Sequence, residues 1–240
     1  ENVKQWCITN SISHFETFND LKKHNSHLNV DILFSIVNEQ ILPSSVLEYP
    51  RIGAINYHNS QLPKYAGLYV TSWAILNGET EHAITWHWMK AQVDAGDILK
   101  QLRFSIDSKE TALTLNLKCY EHAVQAFSEL LDELSTNSEA SLQQDLTLRT
   151  YYGVSNKPKN LGFIDYGNSA DEIERLCMAL FFGNYRNELA TPKIVIENKV
   201  FIVRSCEKLT EKSYADPGTI VSLKDGAIRI STNTTDVLLF

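Results

Sequence analysis

Gly53-Ala54-Ile55-Asn56-Tyr57-His58, running on into Asn59-Ser60-Gln61-Leu62-Pro63, is the stretch whose reading decides the fold. Its first six residues form a strand-sized run, followed by a loop carrying Pro63 and Gly67. Residues 69–76 then read as a helix, with Asn77-Gly78 as its C-terminal stop, because glycine accepts the left-handed conformation that ends helices. Residues 83–89 alternate, placing Ile84, Trp86 and Trp88 on one face and Thr85, His87 and Met89 on the other. Upstream, residues 31–37 form a short apolar run typical of a buried strand, and Leu42-Pro43 leads into a helical stretch around 45–49. Downstream, residues 97–106 predict another strand, and Asp107 and Ser108 are candidate caps for the longest helix. Leu113, Leu117, Tyr120, Val124, Phe127, Leu131 and Leu134 recur there at spacings of three and four, the pattern of an apolar helix face. Strands alternating with helices predict an α/β fold, an open, mainly parallel sheet with helices on both faces.

Residues 137–160 are rich in Ser, Thr, Asn and Gln and read as a linker, with Tyr151 and Tyr152 expected to pack on something. They separate a first domain, 1–136, from a smaller one, 161–240. In the second, a helix near 170–181 precedes short alternating runs at 193–196, 200–203, 218–223 and 227–231. Tight turns at Glu197-Asn198 and Asp225-Gly226 complete the picture of a small β-rich, barrel-like domain.

Of the 240 residues, 43% are hydrophobic, enough for a full core. No run approaches the ~20 apolar residues of a membrane-spanning helix, and the N-terminus has no signal-peptide pattern, so a soluble cytoplasmic protein is expected. The four cysteines lie far apart with no C-x-x-C pair, which argues for reduced thiols and against a structural zinc site. Residues 1–159 carry 13 Lys and Arg against 18 Asp and Glu; residues 160–240 carry 9 against 11. Neither part has the basic excess usual in nucleic-acid binders, and no membrane partner is indicated. There is no dinucleotide glycine motif, phosphate loop or H-E-x-x-H. His24 and His27 sit in a polar run that reads as solvated surface, and His82 and His87 lack a third ligand at useful spacing, so no metal is expected.

On a strand, Asn56 and His58 point to the same side, and ligands of open parallel sheets bind beyond the carboxyl ends of the strands. An amide that can hydrogen-bond an oxyanion, beside an imidazole that can shuttle a proton, suits acyl transfer. The plainer alternative is a histidine that ends a strand and bonds a nearby carbonyl. In Val93-Asp94-Ala95-Gly96-Asp97-Ile98-Leu99, Asp94 stands on a tight loop just before a strand, where a carboxylate can face the imidazole or simply close an Asx turn.

Taken together, Asn56-x-His58-x-Ser60-x-Leu62-Pro63, Tyr65-Ala66-Gly67, residues 73–80 and Asp94-x-Gly96-Asp97-Ile98-Leu99 resemble the formyltransferase family that uses 10-formyltetrahydrofolate. Order and spacing agree over roughly seventy residues. The resemblance implies that Asn56 polarises the formyl oxygen, His58 is the acid/base and Asp94 supports it, within a Rossmann-like formyltransferase fold. It also implies a pterin-binding loop at 34–42 that includes Ile41 and Leu42. Met89, Val93 and Asp94 would close the other side, with Thr85 and His87 as cleft-lining residues. Strings after the linker, such as residues 162–166, 169–173 and 217–220, resemble the C-terminal domain of methionyl-tRNA formyltransferases. The family's opening strand and helix are not found before Asp31; residues 13–15 read as its second strand, so the chain is expected to be part of a longer polypeptide. Tyr65-Ala66-Gly67 stands where many members carry Arg or Lys before the glycine.

The phrases Tyr57-His58-Asn59, Tyr65-Ala66-Gly67 and residues 93–101 and 116–120 are most similar to formyltransferase-like domains of peptide and polyketide synthetases. Their implied partners are tetrahydrofolate and an amine acceptor, an aminoacyl group on a carrier protein. The acidic balance argues against transfer RNA. Hydrolysis of 10-formyltetrahydrofolate and a non-catalytic interaction module are the alternative classes.

Overall fold

The computed structural model describes residues 2–24, 29–38 and 40–240. His27 and the side chain of His24 lie outside the described residues. The chain divides into two units, Glu1–Ile55 and Asn56–Phe240.

The first unit opens with α1 (Val3–Thr9), whose N-terminus is capped by the Asn2 side chain accepting from the Gln5 N–H. After it come α2 (Phe18–His24), β1 (Ile32–Ser35), α3 (Ser44–Leu47) and the start of β2 (Gly53–His58). Residues 13–15, expected as a strand, are irregular chain. β1 lies beside β2, and the backbone entering β2 is tied to that entering β1: Arg51 N–H donates to the Val30 carbonyl at 2.8 Å and Ile52 N–H to that of Asp31 at 2.9 Å.

The second unit begins within β2. It continues through β3 (Ala66–Gly67), α4 (Val70–Leu76), β4 (Glu81–Trp88), β5 (Ile98–Ser105) and α5 (Ala112–Ser135). Then follow β6 (Tyr151–Tyr152), α6 (Ala170–Leu180), β7 (Lys193–Ile196), β8 (Lys199–Ile202), β9 (Cys206–Lys208), β10 (Ile220–Lys224), β11 (Ala227–Ile230) and β12 (Val237–Leu239). β2, β4 and β5 lie side by side in that order. The sheet is mainly parallel, with α3 between β1 and β2 and α4 between β2 and β4 in the chain; β4 and β5, joined by a loop, form an antiparallel pair. Six consecutive β4 residues, from His82 to His87, are buried, so the alternation read from the sequence separates two covered faces rather than a wet face from a dry one.

α5 corrects two expectations. Its cap is a Thr111/Thr114 capping box, not Asp107 or Ser108; Asp107 accepts instead from the Lys118 ammonium at 3.0 Å. Its buried face is Ala112, Leu115, Cys119, Ala123, Ala126 and Leu130, while Leu117, Val124 and Leu131 face solvent. Two overlapping stripes, offset by a residue or two, both have helical spacing. The one rich in Ala and Cys is buried because small side chains let α5 approach β4, β5 and α4 closely.

The polar stretch 137–160 is laid along the first part of this unit. Leu142 bridges Ile98, and β6 pairs in parallel with β3. Beyond it, β10, β11, β12 and β9 form a four-stranded antiparallel sheet in that order, and β7 and β8 form a separate hairpin instead of closing one barrel. Glu197, Asn198, Asp225 and Gly226 all have positive φ, as two-residue hairpin turns require. Ile173 and Cys177 of α6 fill a core with Ile194, Val203, Ile230, Val237 and Leu239. The far end of α6 contributes Ala179 to a cluster with Ala74, Ile75 and Leu115. All four cysteines are free thiols. Among the described residues, no helix is long and apolar enough to cross a membrane.

Candidate active site

β2 ends in two side chains pointing the same way, Asn56 and buried His58. His58 Nε2 lies 2.8 Å from the Tyr65 carbonyl oxygen. That carbonyl is fixed from both sides: Tyr65 has φ 59°, its N–H donates to Thr150 Oγ1 at 2.7 Å, and its hydroxyl donates to Glu79 at 2.7 Å. A carbonyl only accepts, so Nε2 carries the hydrogen and Nδ1 is the nitrogen free to exchange a proton.

Asp94 stands opposite, itself in the left-handed region at φ 51°. Its Oδ2 accepts from the Gly67 N–H at 2.8 Å and lies 3.8 Å from His58 Nδ1. Its Oδ1 lies 3.5 Å from His87 Nε2. At 3.8 Å the carboxylate acts on the His58 imidazole through its charge and not through a direct hydrogen bond. Gly67 also permits the close pairing of β3 with β6: a Cβ there would stand 2.2 Å from the Tyr152 carbonyl oxygen. The loop is also braced from the polar stretch. Gln144 Nε2 donates to the Asp94 carbonyl at 3.0 Å and the Gly96 carbonyl at 2.6 Å, and Arg149 Nη2 donates to that of Val93 at 2.9 Å.

Burial pushes the His58 imidazole below its ordinary pKa, against the opposing pull of the Asp94 charge and the bond to Tyr65. Burial also pushes Asp94 upward. The His58 charge, a hydrogen bond that only the charged form of His87 can donate, the Gly67 N–H and the His87 charge outweigh it and hold the carboxyl at about 2. The imidazolium share of that stabilisation exists only in acid, where His58 is protonated; the Gly67 bond persists at any pH. At neutral pH the arrangement is a neutral base beside a fixed negative charge, a pairing suited to taking up a proton transiently.

The structure brings Asn56, His58, His87 and Asp94 into one cluster of the second unit. Thr85 is fully buried, and its hydroxyl donates to the Ser60 carbonyl at 2.6 Å while accepting from Gln101 at 2.9 Å. Met89 and Val93 are half-buried on the loop between β4 and β5. In the first unit, Ile41 is exposed and Leu42 half-buried, in irregular chain before α3. The sequence reading missed the groups that orient the cluster: the Tyr65 and Trp88 carbonyls, Gln144 and Arg149. The first two are backbone atoms, and the others sit in a stretch whose composition signals only a loop. Among the described residues, no group of three or more His, Cys, Asp and Glu is placed to hold a metal ion.

An open α/β sheet with Asn56 and His58 at the end of β2 and Asp94 beside them presents the groups that acyl transfer uses. Residues 4–131 match the family described as formyl transferase, and residues 157–240 match the formyl transferase C-terminal domain. The chain belongs to the formyl transferase family. It is 30% identical over 234 residues to a methionyl-tRNA formyltransferase of Clostridioides difficile, covering 96% of this chain and 73% of that protein. It is 29% identical over 241 residues to the bifunctional polymyxin resistance protein ArnA of Wigglesworthia glossinidia brevipalpis, covering 99% of this chain and 36% of ArnA. Among solved structures, the N-formyltransferase from Helicobacter canadensis, in complex with folinic acid and dTDP-3-aminofucose, superposes with a TM-score of 0.75 at 19% identity, covering all of this chain and 82% of that one. WlaRD, a sugar 3N-formyl transferase solved with dTDP and 5-N-formyl-THF, gives 0.73 at 20% identity, covering 100% and 81%. At that identity the structural matches speak for the fold.

Proposed function

We propose that this chain transfers the formyl group of 10-formyltetrahydrofolate to the amine of an aminoacyl group carried on a peptide- or polyketide-synthetase carrier protein. The observation that carries the transfer chemistry is the cluster itself: an Asn56 amide, an imidazole with one free nitrogen and a buried carboxylate, in a chain of the formyl transferase family. Folate enters the proposal because proteins of similar fold were solved in complex with folinic acid and in the presence of 5-N-formyl-THF. The carrier-bound acceptor rests on the sequence phrases around Tyr57-His58-Asn59 and Tyr65-Ala66-Gly67 and on a formal charge of −7.

In the proposed reaction, the neutral amine attacks the formyl carbon, and an N–H of Asn56 bonds the oxygen as it gains charge. The new carbon–nitrogen bond forms, the bond to the folate nitrogen breaks, and the proton leaving the amine reaches that nitrogen by way of His58 Nδ1. Asp94 stabilises the transient imidazolium. Met89 and Val93 are assigned to donor binding on the loop that carries Asp94; Ile41 and Leu42 carry the same assignment in the first unit.

A second reading has its own support: formylation of methionyl-tRNA, because a relative 30% identical over nearly the whole chain is a methionyl-tRNA formyltransferase. The deciding experiment incubates the chain and labelled 10-formyltetrahydrofolate with aminoacyl-loaded carrier protein, with methionyl-tRNA, and with neither. Label on the carrier supports the proposal, and label only on tRNA replaces it with the second reading. Formate released equally without acceptor identifies a hydrolase, and no turnover despite donor binding identifies a non-catalytic domain.

A further inference from the structure

Asp94 lies between two imidazoles, and each imidazole is tied to a backbone carbonyl through the opposite ring nitrogen. For His58 it is Nε2, 2.8 Å from the Tyr65 oxygen; for His87 it is Nδ1, 2.8 Å from the Trp88 oxygen. Since both carbonyls can only accept, both nitrogens bear hydrogen, and in their neutral forms the two rings are opposite tautomers. His87 then offers a lone pair at Nε2, and the Asn56 Nδ2 group, which only donates, stands 3.3 Å from it.

This contact decides something that the shape of Asn56 cannot. A half-turn of its amide exchanges NH2 and carbonyl with almost no change in volume, so only hydrogen-bond partners fix which end faces which way. The acceptor at His87 Nε2 holds the NH2 end on the side of Asp94, 3.5 Å from that same nitrogen, and turns the carbonyl end away. The turned amide would set a lone pair against any oxygen gaining negative charge there. His87 is only 2% exposed and its direction is built in. The β4–β5 register shifts between Trp86 and His87, an irregularity of the kind that re-aims side chains beside active sites.

We propose that His87 is a positioning residue for formyl transfer: held as its Nδ1–H tautomer by the Trp88 carbonyl, it uses the Nε2 lone pair to keep the Asn56 amide in its donating orientation. This rests on the formyl-transfer reading above, so the test has one arm that needs no turnover. In the full chain with nitrogen-15-labelled histidine, long-range proton–nitrogen correlation spectra at neutral pH distinguish the tautomers directly. His87 is expected to show hydrogen on Nδ1 and a bare Nε2, with His58 the reverse. A His87 ring with hydrogen on Nε2 overturns the proposal.

The second arm compares formyl transfer by wild type, His87→Gln and His87→Leu at saturating donor. Glutamine still offers an acceptor oxygen, whereas leucine offers none. His87→Leu is expected to lose turnover by roughly 10²-fold, as for a misplaced reacting group, while the donor KM stays close to wild type and His87→Gln recovers a substantial part. Wild-type turnover in His87→Leu overturns the proposal, as does an equal loss in both variants when circular dichroism shows both folded. If wild type itself transfers no formyl group and releases no formate, the formyl-transfer reading fails, and the tautomer spectra still decide the positioning claim.

Discussion

Gly96→Ala would put a methyl group where the Trp88 carbonyl oxygen already stands. A Cβ on Gly96 would lie 1.6 Å from that oxygen and 2.6 Å from the carbonyl carbon, where ordinary contact begins at 3.4 Å. One of two backbone segments must therefore move by roughly 1.8 Å, and no side-chain rotation relieves a clash between main chains. Neither segment is free to move. Trp88 N–H donates to the Asp97 carbonyl at 2.9 Å, its carbonyl holds His87, and the Gly96 carbonyl accepts from Gln144 at 2.6 Å. Overpacking of this kind costs about 1–3 kcal/mol of stability, and a displacement of about 1 Å at reacting groups costs on the order of 10² in rate. The loop that moves carries Asp94, and the strand end that moves carries His87, so both losses are expected together. Urea unfolding, read as a midpoint shift at constant slope, measures the first; formyl transfer or formate release measures the second. Gly153→Ala is the control, because the atoms nearest a methyl there belong to the Tyr151 ring, at 3.1 Å, a side chain and not main chain. A Gly96→Ala chain with wild-type midpoint and wild-type turnover would refute the reasoning.

Asn56→Ala is expected to lower turnover by on the order of 10²–10³, measured by formyl transfer; near-normal turnover removes it as the oxyanion donor. Burial lowers the His58 pKa below its ordinary 6.5, so the acid limb of turnover is expected below pH 6.5, and a limb above that pH contradicts the assignment. By linkage the unfolded chain takes the proton first. His58, together with His82, which burial pushes down to about 4, should therefore lower stability as pH falls from 6.5 towards 4, checked by urea midpoints across that range. Leu115→Ala should cost about 2–5 kcal/mol, while Val124→Ala on the same helix should stay within about 0.5 kcal/mol; denaturant titration of the pair tests which face of α5 is buried. Ser169→Ala removes the capping box of α6 and should cost about 1 kcal/mol in the same measurement.

Periodicity carried much of the fold into the sequence. β2 and β4 are strongly patterned, and α4 has a glycine stop that the structure keeps, with Gly78 at φ 72°. α5 shows where the same signal fails. Its two apolar stripes have the same period, and the choice between them depends on how closely the helix approaches its neighbours, which no count of hydrophobic residues records. The capping box was hidden because Asp107 and Ser108 are stronger cap signals in isolation than the Thr111/Thr114 pair that forms it. At the site, the side chains that could do chemistry were legible at strand and turn spacing. The atoms that aim them were not, because the Tyr65 and Trp88 carbonyls and the Gly67 N–H are common to every residue type. Their trace in the sequence is the absence of a side chain. Gly67 and Gly96 read as marks of tight turning, yet Gly96 does not lie at positive φ, and what a Cβ would strike there is the carbonyl that sets the His87 tautomer. The glycine of the Asp94-x-Gly96 motif is therefore explained less by a turn than by the room it leaves for that oxygen, and through it for the orientation of Asn56.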